Sequence, residues 1–437
     1  MKSASPLSPV QLPGHPFVAY RGDALYVEDV ALHALASVHH TPLFVYSKAA
    51  MLAALGAYQR GFEGRHVQIC YAMKANSSLA VLQVFANAGC GFDIVSGGEL
   101  ERVLAAGGQA QKIIFSGVGK TRDEMRQALS AGIGCFNVES EAELDVLSGV
   151  ALDMQLIAPI SIRVNPNVDP KTHPYISTGL KGSKFGVAHE RVLATYRRAA
   201  ALPGLKVVGI DCHIGSQIVD EGPYLDTVDT MLDFVEAIEK AGIALSHIDF
   251  GGGLGINYQG DTPPQAELLW QKLLAKIDKR GYGDKKLMIE PGRSLVGNAG
   301  VCLTEVLYIK PAHEPDGKNF CVIDAAMNDL PRPAMYQAFH AIVPLLAADK
   351  KVAAATYDVV GPVCESGDWI GRDRELDVVA GDYLGVLSAG AYCMSMASNY
   401  NTRGRAAEVL VDGSMVHVIR QRETPQDQMR HERLVRD

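Results

Sequence analysis

Polar residues able to do chemistry follow several short apolar runs of this sequence. Lys74 follows Val-Gln-Ile-Cys-Tyr-Ala-Met, a position where desolvation lowers the pKa of an amine and favours Schiff-base chemistry. His213 ends a second run, and Glu290 and Arg293 lie at the end of a third. The glycine-rich segment 251–255 follows a fourth, and its free backbone N–H groups are suited to surrounding a phosphate.

Each of these features alone has an ordinary structural explanation. Lys74 is compatible with a solvated lysine, Glu290 and Arg293 with an ion pair at a rim, and the glycines with a turn. Together, an amine, an imidazole that stacks on a ring, a phosphate cradle and an acid are the parts that a pyridoxal phosphate site requires. The combination therefore favours that cofactor.

The segments before these residues must be strands of one sheet if their ends are to meet. Short β-branched runs alternate with helical patterns between residues 67 and 291, which is typical of consecutive βα units. The eight candidate strands are 67–73, 91–96, 112–116, 135–139, 160–165, 207–213, 247–251 and 287–290. The candidate helices include 48–60, 79–88, 122–131, 228–240 and 265–279. This pattern predicts an α/β fold with a closed (β/α)8 barrel of the TIM type, whose site lies at the carboxyl ends of the strands.

The pattern changes after Gly300 to alternating strands such as 302–309 and 407–411, separated by Gly, Pro and Asp turns. We therefore predict a barrel domain at 45–300 and a C-terminal β domain at 301–437. Because chain termini often lie together, residues 1–44 are expected to pack onto the β domain. The charged end, 420–437, is expected to be a solvated tail.

Composition and charge exclude several classes of protein. Hydrophobic residues make up 48% and charged residues 21%, which is ordinary for a globular protein. The net charge is -8 and no basic run is interleaved with aromatics, so we expect no nucleic-acid partner and no anionic-membrane surface. The first 17 residues lack the apolar run of a secretory signal, and the uncharged stretch 383–401 is too polar to span a membrane. A cytoplasmic metabolic enzyme fits these properties.

The eight cysteines are widely spaced, without a C-x-x-C pair or a Cys/His ligand cluster. This spacing argues against a zinc site and against a disulfide scaffold, so we expect no metal and mostly buried, reduced thiols, with Cys364 as the exception. Two nucleotide-binding motifs also fail. A Walker A loop would need Gly at Ile114, and the Gly253-x-Gly255 segment has Tyr258 where a dinucleotide fingerprint needs Gly.

Nine ordered motifs between residues 41 and 410 resemble the pyridoxal-phosphate-dependent decarboxylases of the alanine racemase fold, and among them the diaminopimelate decarboxylases. They are Tyr71-Ala-Met-Lys-Ala-Asn76, Gly91-Phe-Asp-Ile-Val-Ser-Gly-Gly-Glu99, Thr178-Gly-Leu-Lys-Gly-Ser-Lys-Phe-Gly186, His213-Ile-Gly-Ser-Gln217, Asp249-Phe-Gly-Gly-Gly253, Glu290-Pro-Gly-Arg293, Asp329-Leu-Pro-Arg-Pro333, Gly361-Pro-Val-Cys-Glu-Ser366 and Gly390-Ala-Tyr392. Nine motifs in order make the resemblance specific.

The resemblance implies that Lys74 holds pyridoxal phosphate as an aldimine and that His213 stacks on its ring. Glu290 then faces the pyridine nitrogen and keeps it protonated, so that the ring accepts the electron pair left by departing carbon dioxide. Related racemases place a cation there instead. Asp93 lies near the cofactor by the same resemblance, although a carboxylate that only caps its turn is an open alternative. The other implied cofactor contacts are Ser216, Gly253, Gly292, Arg293 and Tyr392.

The same family assigns Cys364 as the acid that returns a proton to the substrate carbon. A free thiol, with a pKa of about 8.5, is mostly protonated at neutral pH and can supply it. Glu365 matches the residue that binds the distal ammonium of diaminopimelate. The implied substrate contacts are Arg293, Arg332, Tyr336, Glu365 and Tyr392. The guanidinium groups of the two arginines suit a substrate with carboxylates, since guanidinium pairs with carboxylate bidentately. The implied reaction converts meso-2,6-diaminopimelate to L-lysine and carbon dioxide, the last step of lysine biosynthesis.

The family also implies a homodimer with shared active sites, in which the Cys364–Glu365 loop of one subunit completes the Lys74 site of the other. Ala326 and Pro331 depart from the family pattern, which affects the expected loop geometry near the substrate. Three alternatives remain: a sister decarboxylase acting on ornithine, arginine or carboxynorspermidine, a catalytically silent regulatory homologue, and a cofactor-free Schiff-base aldolase.

Overall fold

The computed structural model describes residues 11–170, 182–314, 317–347 and 352–435. Of the predicted motif 178–186, residues 178–181 therefore lie outside the described residues, as do the first ten residues of the N-terminal segment. The chain forms two compact units. The barrel unit comprises Met51–Ile256 and Asp261–Gly297, and the β unit comprises Met1–Ala50, Asn257–Gly260 and Asn298–Asp437.

The strands in chain order are β1 Val18–Arg21, β2 Ala24–Val27, β3 Val30–Ala31, β4 Leu43–Ser47, β5 Val67–Ala72, β6 Gly91–Ile94, β7 Ile113–Phe115, β8 Cys135–Val138, β9 Ala158–Arg163, β10 Leu205–Asp211, β11 His247–Asp249, β12 Lys286–Ile289, β13 Gly300–Lys310, β14 Asn319–Ile323, β15 Ile342–Pro344, β16 Ala355–Val360, β17 Trp369–Leu376, β18 Tyr383–Val386, β19 Ala407–Asp412 and β20 Met415–Arg420. The helices are α1 Leu32–His39, α2 Lys48–Gly61, α3 Leu79–Asn87, α4 Gly97–Ala105, α5 Arg122–Ala131, α6 Glu141–Asp153, α7 Val192–Ala201, α8 Gly222–Lys240, α9 Ala266–Lys279, α10 Arg293–Val296, α11 Arg332–Tyr336 and α12 Pro425–Met429.

Strands β5 to β12 form a closed parallel barrel, in which each strand pairs with the next and β12 pairs with β5. The predicted (β/α)8 barrel is therefore confirmed, and each of the eight candidate strands corresponds to one barrel strand. One detail of the prediction was wrong: β5 ends at Ala72, and Lys74 lies in the short 3-10 helix Met73–Ala75 that follows. Buried side chains from four of the barrel strands, Cys70, Ile114, Cys135 and Met288, pack together in one cluster.

Helix α5 shows how the sequence fixes the βα loops. Thr121 and Glu124 form a reciprocal capping box at its start, and Gly132 ends it in the left-handed conformation with φ +70°. The preceding Lys120 belonged to the rejected Walker A motif. Its ammonium is buried and donates to Glu143 at 2.7 Å and to two backbone carbonyl oxygens. This lysine therefore joins two neighbouring βα units.

The β unit contains a three-stranded sheet, β1–β2–β3, and a larger sheet whose main path is β17–β16–β14–β13–β4–β19–β20. Strand β4, from the N-terminal segment, lies between β13 and β19. Its apolar side chains Leu43 and Val45 are completely buried in a cluster with Val301 and Val409. The core of this unit therefore joins segments from opposite ends of the chain.

The expectation of a solvated tail beyond residue 420 was wrong for its first residues. Arg420 ends β20 and pairs with the buried carboxylate of Glu408. The Arg422 guanidinium donates to the backbone carbonyl oxygens of His39, His40 and Pro42. The charged composition predicted exposure to solvent. Instead, Arg420 pairs with a buried carboxylate and Arg422 with backbone carbonyl groups.

The cysteine prediction is confirmed: all eight cysteines are free, seven are buried, and Cys364 is exposed. Within the described residues, no helix is both long enough and apolar enough to cross a membrane.

Candidate active site

The site residues predicted in the barrel unit lie at the ends of five strands that are neighbours around the barrel. The strand order β10–β11–β12–β5–β6 is continuous. Because all are parallel, their carboxyl ends open on the same side. The side chains that follow them therefore share one part of the barrel rim.

The Lys74 ammonium forms an ion pair with the Asp93 carboxylate of β6. The Asp93 side chain is fully buried, whereas the Lys74 side chain is 40% exposed. The other carboxylate oxygen, Oδ1, is buried with no hydrogen-bond partner among the described residues. Asp93 thus orients the amine and does not act as a turn cap.

The loop after β11 is built from glycines because its backbone passes very close to neighbouring strands. A Cβ at Gly252 would lie 2.1 Å from the Glu290 carbonyl oxygen, and one at Gly253 would lie 2.4 Å from the Gly215 carbonyl oxygen. Gly253 also has φ +103°, which L side chains rarely adopt. At the start of the loop, Oδ1 of Asp249 accepts the Gly251 N–H at 2.9 Å. The loop therefore presents bare backbone to the rim.

His213 lies two residues beyond β10, and its Nδ1 accepts the Gly252 N–H at 3.2 Å. Burial holds the imidazole pKa well below its usual value, and the nearby Arg163 and Lys74 cations lower it further. The ring is therefore neutral, with Nδ1 as the acceptor, and it is attached to the glycine loop.

Arg293 begins the short helix α10 after β12 and is 6% exposed. Its Nη2 donates to the Ser216 hydroxyl at 2.8 Å. The preceding Gly292 is in close contact with β5, since a Cβ there would lie 3.1 Å from the Ala72 carbonyl oxygen. The predicted phosphate contacts Ser216, Gly292 and Arg293 are thus neighbours.

Glu290 follows β12 directly and is 6% exposed. Its Oε1 accepts from Nδ2 of Asn137 at 3.3 Å. Burial raises the pKa of the Glu290 carboxyl well above its usual value, and the carboxylates of Asp93, Asp249 and Asp211 raise it further. The Glu290 carboxyl is therefore a weaker acid than a solvent-exposed glutamate.

Glu290, Asp211 and Asp249 form a buried carboxyl cluster whose oxygens lie within 4.8 Å of one another. Burial, with a contribution from the Asp93 charge, raises the pKa of Asp249 to about 7, and burial together with the Asp249 charge raises that of Asp211 well above its usual value. The nearby Arg163 cation pairs with Glu139 at 3.1 Å. Since buried acids with too few cations retain protons, the cluster is a proton-rich region beneath the rim.

The remaining predicted residues belong to the β unit. Arg332 begins α11 and is 6% exposed; its Nη1 lies 2.8 Å from Nε2 of His340, and its guanidinium lies over the Tyr258 ring at 4.6 Å. Tyr336 ends the same helix and is half-buried. Arg332 is therefore held by a hydrogen bond and a cation–π contact.

The unusual residues Ala326 and Pro331 fit the loop that leads to Arg332. The Ala326 N–H donates to Oδ2 of Asp329 at 3.0 Å, and its backbone lies outside the left-handed region, so glycine is not required there. Pro331 precedes α11, where its fixed φ suits a helix start. Gly361 is the residue that permits close packing, because a Cβ there would lie 2.7 Å from the Ala326 α-carbon.

Cys364 and Glu365 are exposed in the connection between β16 and β17. The Cys364 N–H donates to Oδ1 of Asn401 at 3.1 Å, and Glu365 accepts from the Tyr400 hydroxyl at 2.5 Å. Tyr392 is half-buried with φ +57°. A thiol and a carboxylate are thus adjacent on one surface loop.

Sequence reasoning gave no role to several polar residues near the predicted ones, although Asp249 opens one of its motifs. In the barrel unit these are Asn137, Glu139, Arg163, Asp211 and Asp249, and in the β unit they are His340, Asp368, Tyr400 and Asn401. A usable signal existed for Asp211 and Asp249: a carboxylate near the end of an apolar strand is rarely buried without a specific reason. No local pattern marks Tyr400, whose partner is 35 residues away.

Comparisons with known proteins agree with this geometry. Residues 49–297 match the model of the family "Pyridoxal-dependent decarboxylase, pyridoxal binding domain". The diaminopimelate decarboxylase of Pseudomonas aeruginosa is 52% identical over 94% of this chain and 97% of its own length. That of Neisseria meningitidis serogroup B is 51% identical over 93% and 97%.

Solved structures give the same result. The diaminopimelate decarboxylase of M. jannaschii in co-complex with L-lysine is 37% identical, with a TM-score of 0.91 over 97% of this chain and 99% of that one. The Helicobacter pylori enzyme complexed with L-lysine is 39% identical, with a TM-score of 0.87 over 92% and 99%. The chain therefore belongs to the pyridoxal-dependent decarboxylases, and within that family to the diaminopimelate decarboxylases.

Proposed function

We propose that this protein removes carbon dioxide from meso-2,6-diaminopimelate and releases L-lysine, with pyridoxal 5'-phosphate as its cofactor. The observation that carries the proposal is the 52% identity to a diaminopimelate decarboxylase over 94% of the chain. Two similar solved structures, at 37% and 39% identity, contain L-lysine, which is the expected product. The product assigns the reaction to the end of lysine biosynthesis.

The residues at the barrel rim fit the cofactor. Lys74 offers a directed and accessible amine for the aldehyde. The bare backbone of the loop around Gly253, with the linked Arg293 and Ser216 side chains, suits a phosphate dianion. The neutral His213 ring offers a face for stacking, and Glu290 offers a buried acid for the pyridine nitrogen. Asp93 keeps Lys74 oriented, and Tyr392 contributes a hydroxyl near the phosphate.

The bound cofactor supplies an electron-accepting ring for the pair of electrons that departing carbon dioxide leaves behind. Glu290 supports that role because it holds a proton at the pyridine nitrogen. Burial of Glu290 and its nearness to the Asp211 and Asp249 carboxyls raise its proton affinity. Lys74 and Asp93 remain as the acid–base pair beside the reacting amine.

Residues of the β unit, together with Arg293 of the barrel unit, recognise the substrate. Arg332 and Arg293 pair with carboxylates, and Tyr336 and Tyr392 donate hydroxyl hydrogen bonds. Glu365 binds the distal ammonium, and the Cys364 thiol returns a proton to the carbon that has lost carbon dioxide. A substrate with an ammonium and a carboxylate at each end needs anionic and cationic partners. Glu365 is the anionic partner, and Arg293 and Arg332 are the cationic ones.

The working form is a cytoplasmic homodimer in which the Cys364–Glu365 loop of one subunit completes the barrel site of its partner. The barrel domain spans about residues 45–300, and the β domain spans 301–437 together with the N-terminal segment. Neither a nucleic acid nor a membrane is a partner. The resemblance carried by the nine motifs supports this arrangement.

The test incubates the purified holoenzyme with meso-diaminopimelate and measures carbon dioxide and L-lysine. Ornithine, arginine and carboxynorspermidine serve as competing substrates, and turnover of one of them in place of diaminopimelate contradicts the proposal. In a second assay, borohydride reduction followed by peptide mass spectrometry locates the cofactor. Lys74→Ala should lose the adduct and the activity, whereas Lys240→Ala, a change at a side chain that is 73% exposed, should keep both.

A further inference from the structure

In the β unit, Tyr400 and Asn401 of one loop form hydrogen bonds with Glu365 and Cys364 of another loop. The Tyr400 hydroxyl donates to Oε1 of Glu365 at 2.5 Å, and the Cys364 N–H donates to Oδ1 of Asn401 at 3.1 Å. The proposed function uses Cys364 and Glu365 but gives Tyr400 and Asn401 no role. The function of these two hydrogen bonds is therefore a separate question.

The Tyr400 loop is held firmly at both ends. The Ser398 N–H donates to the Asn328 carbonyl oxygen at 2.9 Å, and Nε of Arg403 donates to Oδ1 of the same Asn328 at 2.9 Å. Between these points, Asn401 and Thr402 have φ +55° and +57°. Asn tolerates this left-handed conformation, but a β-branched Thr rarely adopts it. The loop is thus fixed in an unusual shape that presents Tyr400 to Glu365.

The Glu365 loop is anchored to the same part of the unit. The buried Asp368 carboxylate accepts the Val363 N–H and the Met327 N–H, each at 2.7 Å. Met327 is adjacent in sequence to Asn328, so both loops depend on one turn. Their relative position is therefore set by the fold and not by the exposed hydroxyl–carboxylate contact.

The contact has a chemical consequence for Glu365. A long glutamate on the surface samples many rotamers, and ordering it costs conformational entropy when a ligand binds. A hydroxyl that donates to a carboxylate makes a charge-assisted hydrogen bond, stronger than a neutral one. Among the described residues, Oε1 receives this bond and Oε2 receives none. The second oxygen is thus left for another cation.

We propose that Tyr400 is a positioning residue for substrate specificity, which orders the Glu365 carboxylate so that its second oxygen binds the distal ammonium of the substrate. The proposal deepens the proposed function and rests on it. Tyr400 acts through Glu365 and not on the reacting carbon. Its loss should therefore weaken binding of the substrate's far end while leaving the chemical step intact.

The test is a double-substitution cycle in the holoenzyme with Tyr400→Phe and Glu365→Gln. Tyr400→Phe alone should raise KM for meso-diaminopimelate about three- to tenfold, the loss of one net hydrogen bond, with kcat changed less than about twofold. In the Glu365→Gln background, the same change should alter KM by less than about twofold. Tyr308→Phe, a matched change at a tyrosine that is 68% exposed, should behave as the wild type.

A titration of tyrosine absorbance gives a readout that does not depend on activity. The Glu365 carboxylate raises the pKa of Tyr400 through the hydrogen bond and its charge. The difference titration between wild type and Tyr400→Phe should therefore show a phenol that ionises above the ordinary range, and Glu365→Gln should return it to that range.

The outcomes separate the two proposals. A wild type that releases no carbon dioxide from diaminopimelate overturns the proposed function and the role of Tyr400 together. An active wild type with an unchanged KM in Tyr400→Phe, effects that simply add in the double variant, or a fall confined to kcat overturns the role of Tyr400 alone.

Discussion

A Cβ at Gly253 would lie 2.4 Å from the carbonyl oxygen of Gly215, because the loop after β11 runs directly against the loop after β10. The two loops carry the proposed phosphate contacts Gly253 and Ser216. Any side chain at residue 253 must therefore push one loop away from the other. The position is also at φ +103°, so the backbone itself resists a side chain.

We predict that Gly253→Ala weakens cofactor binding about tenfold or more, because strain of about 1 to 3 kcal/mol is relieved only by moving the loop. Fluorescence titration of the cofactor-free protein with pyridoxal phosphate measures the change. Gly260→Ala is the matched control: its φ is +77°, but its Cβ would have no neighbour within 4 Å. Equal cofactor affinity in the wild type and Gly253→Ala would show that the loop does not hold the phosphate.

The barrel was predictable because its information is local. The strands β5 to β12 are short runs, each of β5 to β11 is followed by a helix, and some of these helices carry their own start and stop signals, such as Thr121 and Gly132 of α5. The site residues at the barrel rim were predicted from their positions directly after these strands. The placement of β4 between β13 and β19 depends on pairing between distant segments, which no local pattern encodes.

The proton-rich cluster was not predictable for the same reason. Asp211 and Asp249 meet only because β10 and β11 pair in register, with these two residues opposite each other. The error over the tail has a related cause. The charge of Arg422 predicted that its side chain is exposed to solvent. Its hydrogen-bond partners are carbonyl groups almost four hundred positions earlier in the chain, which no local pattern indicates.

We predict that Asp249→Asn makes the cofactor-free protein less sensitive to rising pH. Burial raises the pKa of Asp249 from its ordinary value of 3.8 to about 7 in the folded state. The folded protein therefore holds a proton that the unfolded chain has lost, and its stability falls as pH rises from about 4 to about 7. Asparagine cannot ionise, and its Oδ1 still accepts the Gly251 N–H.

Thermal unfolding at pH 5 and pH 8 measures this effect. The wild type should lose roughly 1 to 3 kcal/mol more stability than Asp249→Asn over that interval. Asp123→Asn is the control, since its side chain is 95% exposed. An identical pH dependence in the wild type and Asp249→Asn would mean that Asp249 is ionised throughout, with its charge balanced by another group.

Cys364 should be the one thiol that reacts quickly in the native protein. Of the eight cysteines it alone is exposed, and burial raises the thiol pKa of Cys70, Cys212 and Cys302 well above its usual value. Since the thiolate is the reactive form, buried thiols react slowly. A colorimetric thiol reagent should label about one group per native chain, and Cys364→Ser should label none. Labelling should also abolish decarboxylation; a fully labelled enzyme that keeps its activity would exclude the thiol as the proton donor.

The last prediction tests whether two subunits share each site. Lys74 lies in the barrel unit and Cys364 in the β unit, separated by most of the chain. If each site takes its lysine from one subunit and its cysteine from the other, a hybrid of Lys74→Ala and Cys364→Ala subunits has one intact site and one site that lacks both groups. With random pairing about half of the dimers are hybrids, so roughly a quarter of the wild-type activity should return when two nearly inactive proteins are dissociated and remixed. Native mass spectrometry with one subunit isotopically labelled confirms that hybrids have formed, and remixing each variant with itself gives the baseline. Confirmed hybrids that are no more active than this baseline would mean that Cys364 serves the site of its own chain, and the shared-site arrangement would then be wrong.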